Sequence, residues 1–111
     1  MLKKSRVRAE PEEVIQKIQK RRDRLRELSA DLLQKEEAIT LEIGCGHGHF
    51  LTEYANAYPS SICIGIDLLT GRIERALRKQ ERVQGNNLYF LKAEASEFLL
   101  VLPEKIQVEA Y

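Results

Sequence analysis

The 111-residue chain contains no tryptophan and only two cysteines, Cys45 and Cys63. Two cysteines so placed supply neither a disulfide framework nor a zinc site, which needs about four ligands at close spacing. Cys63 sits in an apolar run and reads as a small core residue. Cys45 lies inside a glycine loop and could approach a ligand, although a reactive thiol is not expected. No apolar run approaches the ~20 residues of a membrane-crossing helix. The basic opening, Met1 to Arg8, has no apolar segment behind it, so the expectation is a cytoplasmic chain without a secretory signal or membrane contact. Repeats and low-complexity tracts are also missing.

What is present is an ordinary globular mixture, 43% apolar and 32% charged, long enough for one small domain with a single core. Charge is unevenly spread. Residues 1–26 carry ten Lys or Arg against four Asp or Glu, whereas residues 38–111 carry seven against nine. A basic arm on a faintly acidic body suits a polyanion partner, and a solvated helix of mixed charge has the same composition. The expected organisation is a basic helical arm over residues 1–37 and an α/β body over residues 38–111, hinged at residues 34–37.

Apolar spacing predicts one helix from Pro11 to about Gln34, with Pro11, Glu12 and Glu13 suited to its first turn. Val14, Ile15, Ile18, Leu25, Leu28, Leu32 and Leu33 should form its buried stripe, interrupted by the basic stretch Lys20 to Arg24. Residues 38–43 read as a buried strand running into Gly44-Cys-Gly-His-Gly48. A helix follows from His49 to Tyr58, stopped by Pro59. Residues 61–66 form a second buried strand ending at Asp67, and residues 70–84 a charged helix stopped by Gly85-Asn-Asn87. A third strand covers residues 88–92, a short helix residues 96–102, and a fourth strand begins near Ile106. This alternation implies βαβ units and a parallel sheet. Phe50, Tyr54, Tyr58 and Phe98 read as packing residues, and of Tyr89 and Phe90 at least one should be core.

Glu42-Ile-Gly-Cys-Gly-His-Gly48 is the most informative stretch. Glycine at every second position between strand and helix makes a turn free of side chains, where a ligand can reach the backbone. The dinucleotide fingerprint would need glycine at position 49, where this chain has His49, and no Walker lysine follows. Asp67 closes the next strand, where a carboxylate can hold a ribose diol with two hydrogen bonds; it could equally cap the following helix. Glu42 lies in a strand expected to be buried on both faces. An unpaired carboxylate there costs several kcal/mol, so it needs either a cationic ligand or nearby loop amides. His47 and His49 lack the carboxylate partners of a metal site; His47 shapes the loop and His49 starts the helix.

The run Leu41-Glu-Ile-Gly-Cys-Gly-His-Gly-His-Phe-Leu51, with Ala55, Pro59, Ile64-Gly-Ile-Asp67 and Arg75-Ala-Leu77, resembles class I S-adenosylmethionine-dependent methyltransferases. Within them it is most similar to the tRNA (guanine-N7)-methyltransferase family. The resemblance covers residues 40–100 and implies a Rossmann-like parallel sheet with the first strand central and the fourth beside it. It also implies S-adenosylmethionine as cofactor and tRNA as partner. Carried over, Glu42, Gly44, Cys45, Gly46, His47 and Gly48 would lie against the methionine part and Asp67 against the ribose. Leu68 would flank the adenine, with Glu94 and Ala95 at its amino group. Asp67 and Glu94 depart from the family pattern, which more often has glutamate at the first position and aspartate at the second.

The family's Pro-Asp-Pro-Trp segment, with the aspartate assigned to catalysis, has no counterpart in this sequence, so no catalytic residue is carried over. The expectation is therefore the cofactor-binding half of a methyltransferase, truncated at the fourth strand. Its apolar sheet edge would be free to pair with another copy in a homo-oligomer. A non-catalytic adenosyl-binding or scaffold module, and an RNA-binding partner subunit, are the alternatives.

Overall fold

A strand buried on both sides must send alternate residues into two different cores, and the central strands do so. The computed structural model describes residues 11–33, 38–83 and 85–111. Within them the chain runs α1 (Pro11–Leu33), β1 (Ala38–Ile43), α2 (His49–Ala57), β2 (Cys63–Asp67), α3 (Thr70–Gln80), β3 (Leu88–Lys92), α4 (Ala95–Val101) and β4 (Gln107–Ala110). The four strands form one all-parallel sheet in the order β3-β2-β1-β4, with Leu41 opposite Ile64 and Ile64 opposite Tyr89. The expected Rossmann-like sheet, central first strand and adjoining fourth strand are all found. The basic residues before Pro11 and the hinge at residues 34–37 lie outside the described residues.

Ile39, Leu41, Ile64 and Ile66 project to one face, where Phe98 and Val101 of α4 and Leu25 and Leu33 of α1 meet them. Cys63, Leu88 and Phe90 project to the other, under Leu51 and Ala55 of α2 and Ile73 and Ala76 of α3. Phe98 has no exposed surface and Phe90 only 3%, as their readings as core required, whereas Phe50 and Tyr58 are 44% and 55% exposed. Those two stack instead along the surface: the Phe50 ring lies 5.9 Å from Tyr54, and Tyr54 lies 4.7 Å from Tyr58.

α1 departs from the expected stripe. Only its second half meets the body, burying Leu25, Ser29 and Leu33, while Val14, Ile15 and Leu28 stay exposed. Its 23 residues extend roughly 35 Å at 1.5 Å per residue, longer than the flank of the sheet can cover. Arg21 adds a two-pronged bridge to Glu97 of α4, with Nε donating at 2.7 Å and the second nitrogen at 2.5 Å. Arg21 is largely exposed, and such pairs contribute about 0–1 kcal/mol. Burial of one leucine side chain contributes about 1.5–3 kcal/mol. Leu25 and Leu33 therefore hold the helix, and the ion pair sets its rotation.

Three boundaries shift for local reasons. β2 starts at Cys63 rather than residue 61, because the Ser61 N–H turns back to the Tyr58 carbonyl. α3 ends at Gln80, since Arg82 and Val83 close i→i+3 turns and Val83 folds toward the core. α4 begins at Ala95, one residue early, because the Glu94 carboxylate caps it, accepting from the N–H groups of Ser96 and Glu97. Asn87, expected only as a helix stop, is 3% exposed and donates its side-chain amide to the carbonyls of Ala55, Tyr58 and Ser61.

Gly65 is fixed by packing alone. A Cβ there would stand 2.7 Å from Phe90 Cδ1 and 3.0 Å from Cys45 Cβ. Gly65→Ala should therefore destabilise the fold by about 1–3 kcal/mol in urea unfolding. Phe90→Leu, placed behind it, should recover part of that loss in a double-mutant cycle; strictly additive losses would remove the steric account.

Candidate cofactor-binding site

The carboxyl ends of β1, β2 and β3 open into a cavity of about 460 Å³ lined by Ile43, Gly44, Ile66, Asp67, Leu68, Leu69, Arg72, Ala93, Glu94 and Ala95. That volume falls in the range of roughly 300–1,000 Å³ occupied by small-molecule sites. A larger hollow, about 610 Å³, lies at the opposite end of the sheet beside Ala38, Ser60 and Gln107. Open parallel sheets bind ligands at the carboxyl ends of their strands, which selects the smaller cavity.

Five of the ten residues expected from the sequence meet there: Gly44, Asp67, Leu68, Glu94 and Ala95. Ile43, Ile66, Leu69, Arg72 and Ala93 were not anticipated as lining. Arg72 had a signal, being a cation one helical turn into the element that follows the strand-ending acid. Leu68 and Leu69 are 61% and 52% exposed, an apolar lip directly beyond Asp67.

The glycine loop, residues 44–48, has a different reason at different positions. Gly44, Gly46 and Gly48 all have positive φ, 68°, 57° and 78°. A Cβ on Gly44 or Gly46 would meet nothing within 4 Å, so these two keep open the side that faces away from the core. A Cβ on Gly48 would stand 2.5 Å from Phe90 Cζ, so that glycine serves core packing. Cys45 turns its thiol away from the cavity and into the core, in keeping with the expectation that it is not a reactive thiol. Its side chain is buried with Leu51 and Phe90, and its backbone N–H donates to the Ile66 carbonyl at 2.9 Å. Burial, aided by the charges of Asp67 and Glu42, pushes the thiol up to about 12, leaving it unreactive.

Asp67 is 6% exposed and ties the parts together. Its Oδ2 accepts the Gly46 N–H at 3.0 Å and its Oδ1 the Leu69 N–H at 2.9 Å, with an Arg72 nitrogen 3.8 Å away. Burial alone would raise this carboxyl, but the two amides and Arg72 outweigh it and hold the group below the ordinary carboxylate value. Each carboxylate oxygen has two acceptor positions, so capacity for ligand hydroxyls remains.

Glu42 is the converse case. It is half-buried, its Oε1 has no exposed surface and no hydrogen-bond donor, and burial holds its carboxyl above the ordinary value. A cationic ligand group would supply the missing partner, so the residues present fit an adenosyl sulfonium with its ammonium. Glu94 lines the cavity while its carboxylate also holds the Ser96 hydroxyl and the start of α4. His47 is fastened from α3: Lys79 Nζ donates to its carbonyl at 2.8 Å, and Arg75 lies 3.3 Å from its ring nitrogen. Burial and those two cations hold its imidazole below the usual value, so it stays neutral and shapes the loop.

A family model described as "Putative methyltransferase" matches residues 36–110. The chain belongs to this family, within the class I S-adenosylmethionine-dependent methyltransferases. S-Adenosylmethionine is the cofactor of that class. The match supports neither the scaffold module nor the RNA-binding partner subunit as an alternative. Among curated relatives, a tRNA (guanine-N(7)-)-methyltransferase of Lachnoclostridium phytofermentans is 42% identical over 51% of this chain and 27% of its own length. One from Helicobacter pylori is 36% identical over 66% of this chain and 18% of its own length. The chain thus spans under a third of either relative. Two solved structures show the same fold at low identity. Precorrin-6y C5,15-methyltransferase of Geobacter metallireducens is similar with TM-score 0.53, at 17% identity over 75% of this chain and 45% of that one. The M. capricolum TrmK complex with S-adenosyl-homocysteine is similar with TM-score 0.52, at 14% identity over 81% and 39%.

The depressed Asp67 value fixes the sign of a pH effect. A carboxyl held lower in the folded than in the unfolded chain contributes stability above the unfolded value, about 3.9, and loses it as pH falls through the folded one. Asp67→Asn should therefore be less stable than the parent at pH 7. The gap should close below about pH 4; a gap independent of pH in chemical unfolding would contradict the assignment.

Proposed function

We propose that this chain forms the cofactor-binding half of an S-adenosylmethionine-dependent tRNA (guanine-N7) methyltransferase acting in the cytoplasm. The observation that carries the cofactor reading is the buried Asp67 carboxylate, at the carboxyl end of β2, holding the glycine loop open beside the cavity. The names of the curated relatives support the tRNA substrate. The basic composition of residues 1–26 agrees with a polyanion partner.

In this reading Asp67 takes the ribose hydroxyls on the acceptor positions that Gly46 and Leu69 leave free. Leu68 lies against one adenine face, and Glu94 and Ala95 meet its edge. Glu42 and the backbone of residues 44–48 face the methionine end, where the Glu42 carboxylate neutralises positive charge. The cofactor supplies a sulfonium methyl for in-line displacement, and these residues contribute to that step by positioning alone. No residue of the chain is assigned to the attacking base. The β4 edge, with Gln107, Glu109 and Ala110 exposed, is the surface for pairing with a second copy or further sheet, although it is less apolar than the sequence suggested.

Calorimetric titration of the chain with S-adenosylhomocysteine tests the cofactor reading. One site per chain is expected, and Asp67→Ala should weaken it by at least about tenfold, the scale of a hydrogen bond to a charged group. Glu42→Gln should weaken binding while raising the stability of the ligand-free chain, because its folded-state charge is the penalised form. Failure of the parent chain to bind would remove the proposal. Nucleoside analysis of tRNA methylated by the protein tests the substrate, with 7-methylguanosine expected.

A further inference from the structure

Among the described residues, α1 is not the most one-sided positive surface. α1 mixes its cations with Glu12, Glu13, Asp23 and Glu27, and two of the cations are already engaged, Arg21 by Glu97 and Arg26 by Asp23. α3 and the turn after it carry Arg72, Arg75, Arg78, Lys79 and Arg82 against only Glu74 and Glu81. At about 100° per residue the four cations within α3 fall inside an arc of about 120°. Arg82 continues it, since its N–H closes a turn onto the Lys79 carbonyl. Glu74 and Glu81 fall outside that arc, as does Leu77, which faces a groove shared with Arg24 and Leu28 of α1. Among the described residues no carboxylate lies within salt-bridge distance of Arg75, Arg78, Lys79 or Arg82.

The arc has a fixed relation to the cofactor cavity. Arg72 lines the cavity, and Arg75 and Lys79 clasp His47 on the outer side of the glycine loop. Arg78, in the last turn of α3, and Arg82 beyond it are exposed and lead away from the mouth. Four of the five cations are arginines, whose planar fork matches phosphate oxygens in pairs. The arc offers no exposed apolar anchor such as a protein partner would need at the centre of its interface.

We propose that this face of α3 is the track for the sugar–phosphate backbone of the RNA substrate, leading along Arg82 and Arg78 toward the cofactor mouth at Arg72. The inference rests on the proposed tRNA substrate and deepens it by placing phosphate contacts on α3 rather than on α1. The tRNA backbone then crosses the outside of the glycine loop, so that a base can be turned toward the cavity.

The test is fluorescence anisotropy with labelled tRNA across a salt series, comparing the parent chain, R78Q/R82Q and, on α1, K17Q/K20Q. Arg78 and Arg82 lie outside the cofactor cavity, so S-adenosylhomocysteine affinity and the thermal midpoint serve as checks on folding. R78Q/R82Q should weaken tRNA binding about tenfold or more at 0.1 M salt and lower the slope of log K against log salt by about two. K17Q/K20Q should leave both nearly as in the parent. A parent-like slope in R78Q/R82Q, with the α1 variant losing affinity instead, overturns the α3 track and returns the contact to the arm. No measurable tRNA binding by the parent chain overturns the tRNA reading on which the inference rests. Retained tRNA affinity in R78Q/R82Q together with lost affinity for an acidic peptide would make the face a protein-docking surface and overturn the track.

Discussion

One buried carboxylate holds the ligand-binding end of the sheet in shape. Asp67 sits at the tip of β2 and accepts backbone N–H groups from the loop after β1 and from the start of α3. Without it two part-buried amides would lose their acceptor, and the loop would lose its only side-chain tether to the neighbouring strand among the described residues. The loop cannot hold itself: three of its five residues are glycines at positive φ, the least restricted backbone available. Phe90 supports it from beneath, against Gly48 and Gly65, and Lys79 and Arg75 hold it from the side through His47. The cavity is thus pre-formed by groups with structural duties of their own, and a ligand need not order them on arrival.

That double duty explains where sequence reasoning succeeded and where it stopped. The sheet was legible because β1, β2 and β3 are short apolar runs bounded by glycine, proline and an acid, patterns that depend only on local residues. Asp67 was legible for the same reason, as the acid that ends a strand, whereas Leu68, Glu94 and Ala95 followed from the family resemblance and line the same cavity. The side chain of Cys45 stayed open because a residue between two glycines can point to either side, and only the later strand β3, bringing Phe90, decides which. Gly48 belongs with it. Its alternation with Gly44 and Gly46 suggests one common purpose, yet its neighbour in space is 42 residues away in sequence. The exposed first half of α1 escaped notice because helical periodicity reports which residues share a face, not how far the surface beneath them extends.

Glu94 shows a further limit. Reading it as an adenine contact and finding it as a helix cap are compatible, because a carboxylate caps with one set of lone pairs and can accept from a ligand with another. The cap lowers its value, so it stays ionised and can only accept, which suits an exocyclic amine. A neutral acid at the same place would be free to donate and would lose that discrimination.

Charge is also divided by depth. Asp67 and Glu94 line the cavity and Glu42 lies near the carboxyl end of β1, an acidic group that suits a cationic sulfonium and ammonium. Arg75 and Arg78 of α3 stand outside the cavity and face solvent. An acidic cavity by itself would repel a nucleic acid, and a basic cavity would repel the proposed cofactor. Placing Arg72 at the boundary, within 3.8 Å of Asp67, lets the two fields meet without either ligand crossing the unfavourable one. A polyanion can then approach along cations that screen the acids behind them, and Arg72 helps the backbone amides of Gly46 and Leu69 keep Asp67 ionised. The arrangement requires the two binding surfaces to be adjacent, and the helix that begins three residues after Asp67 makes them so.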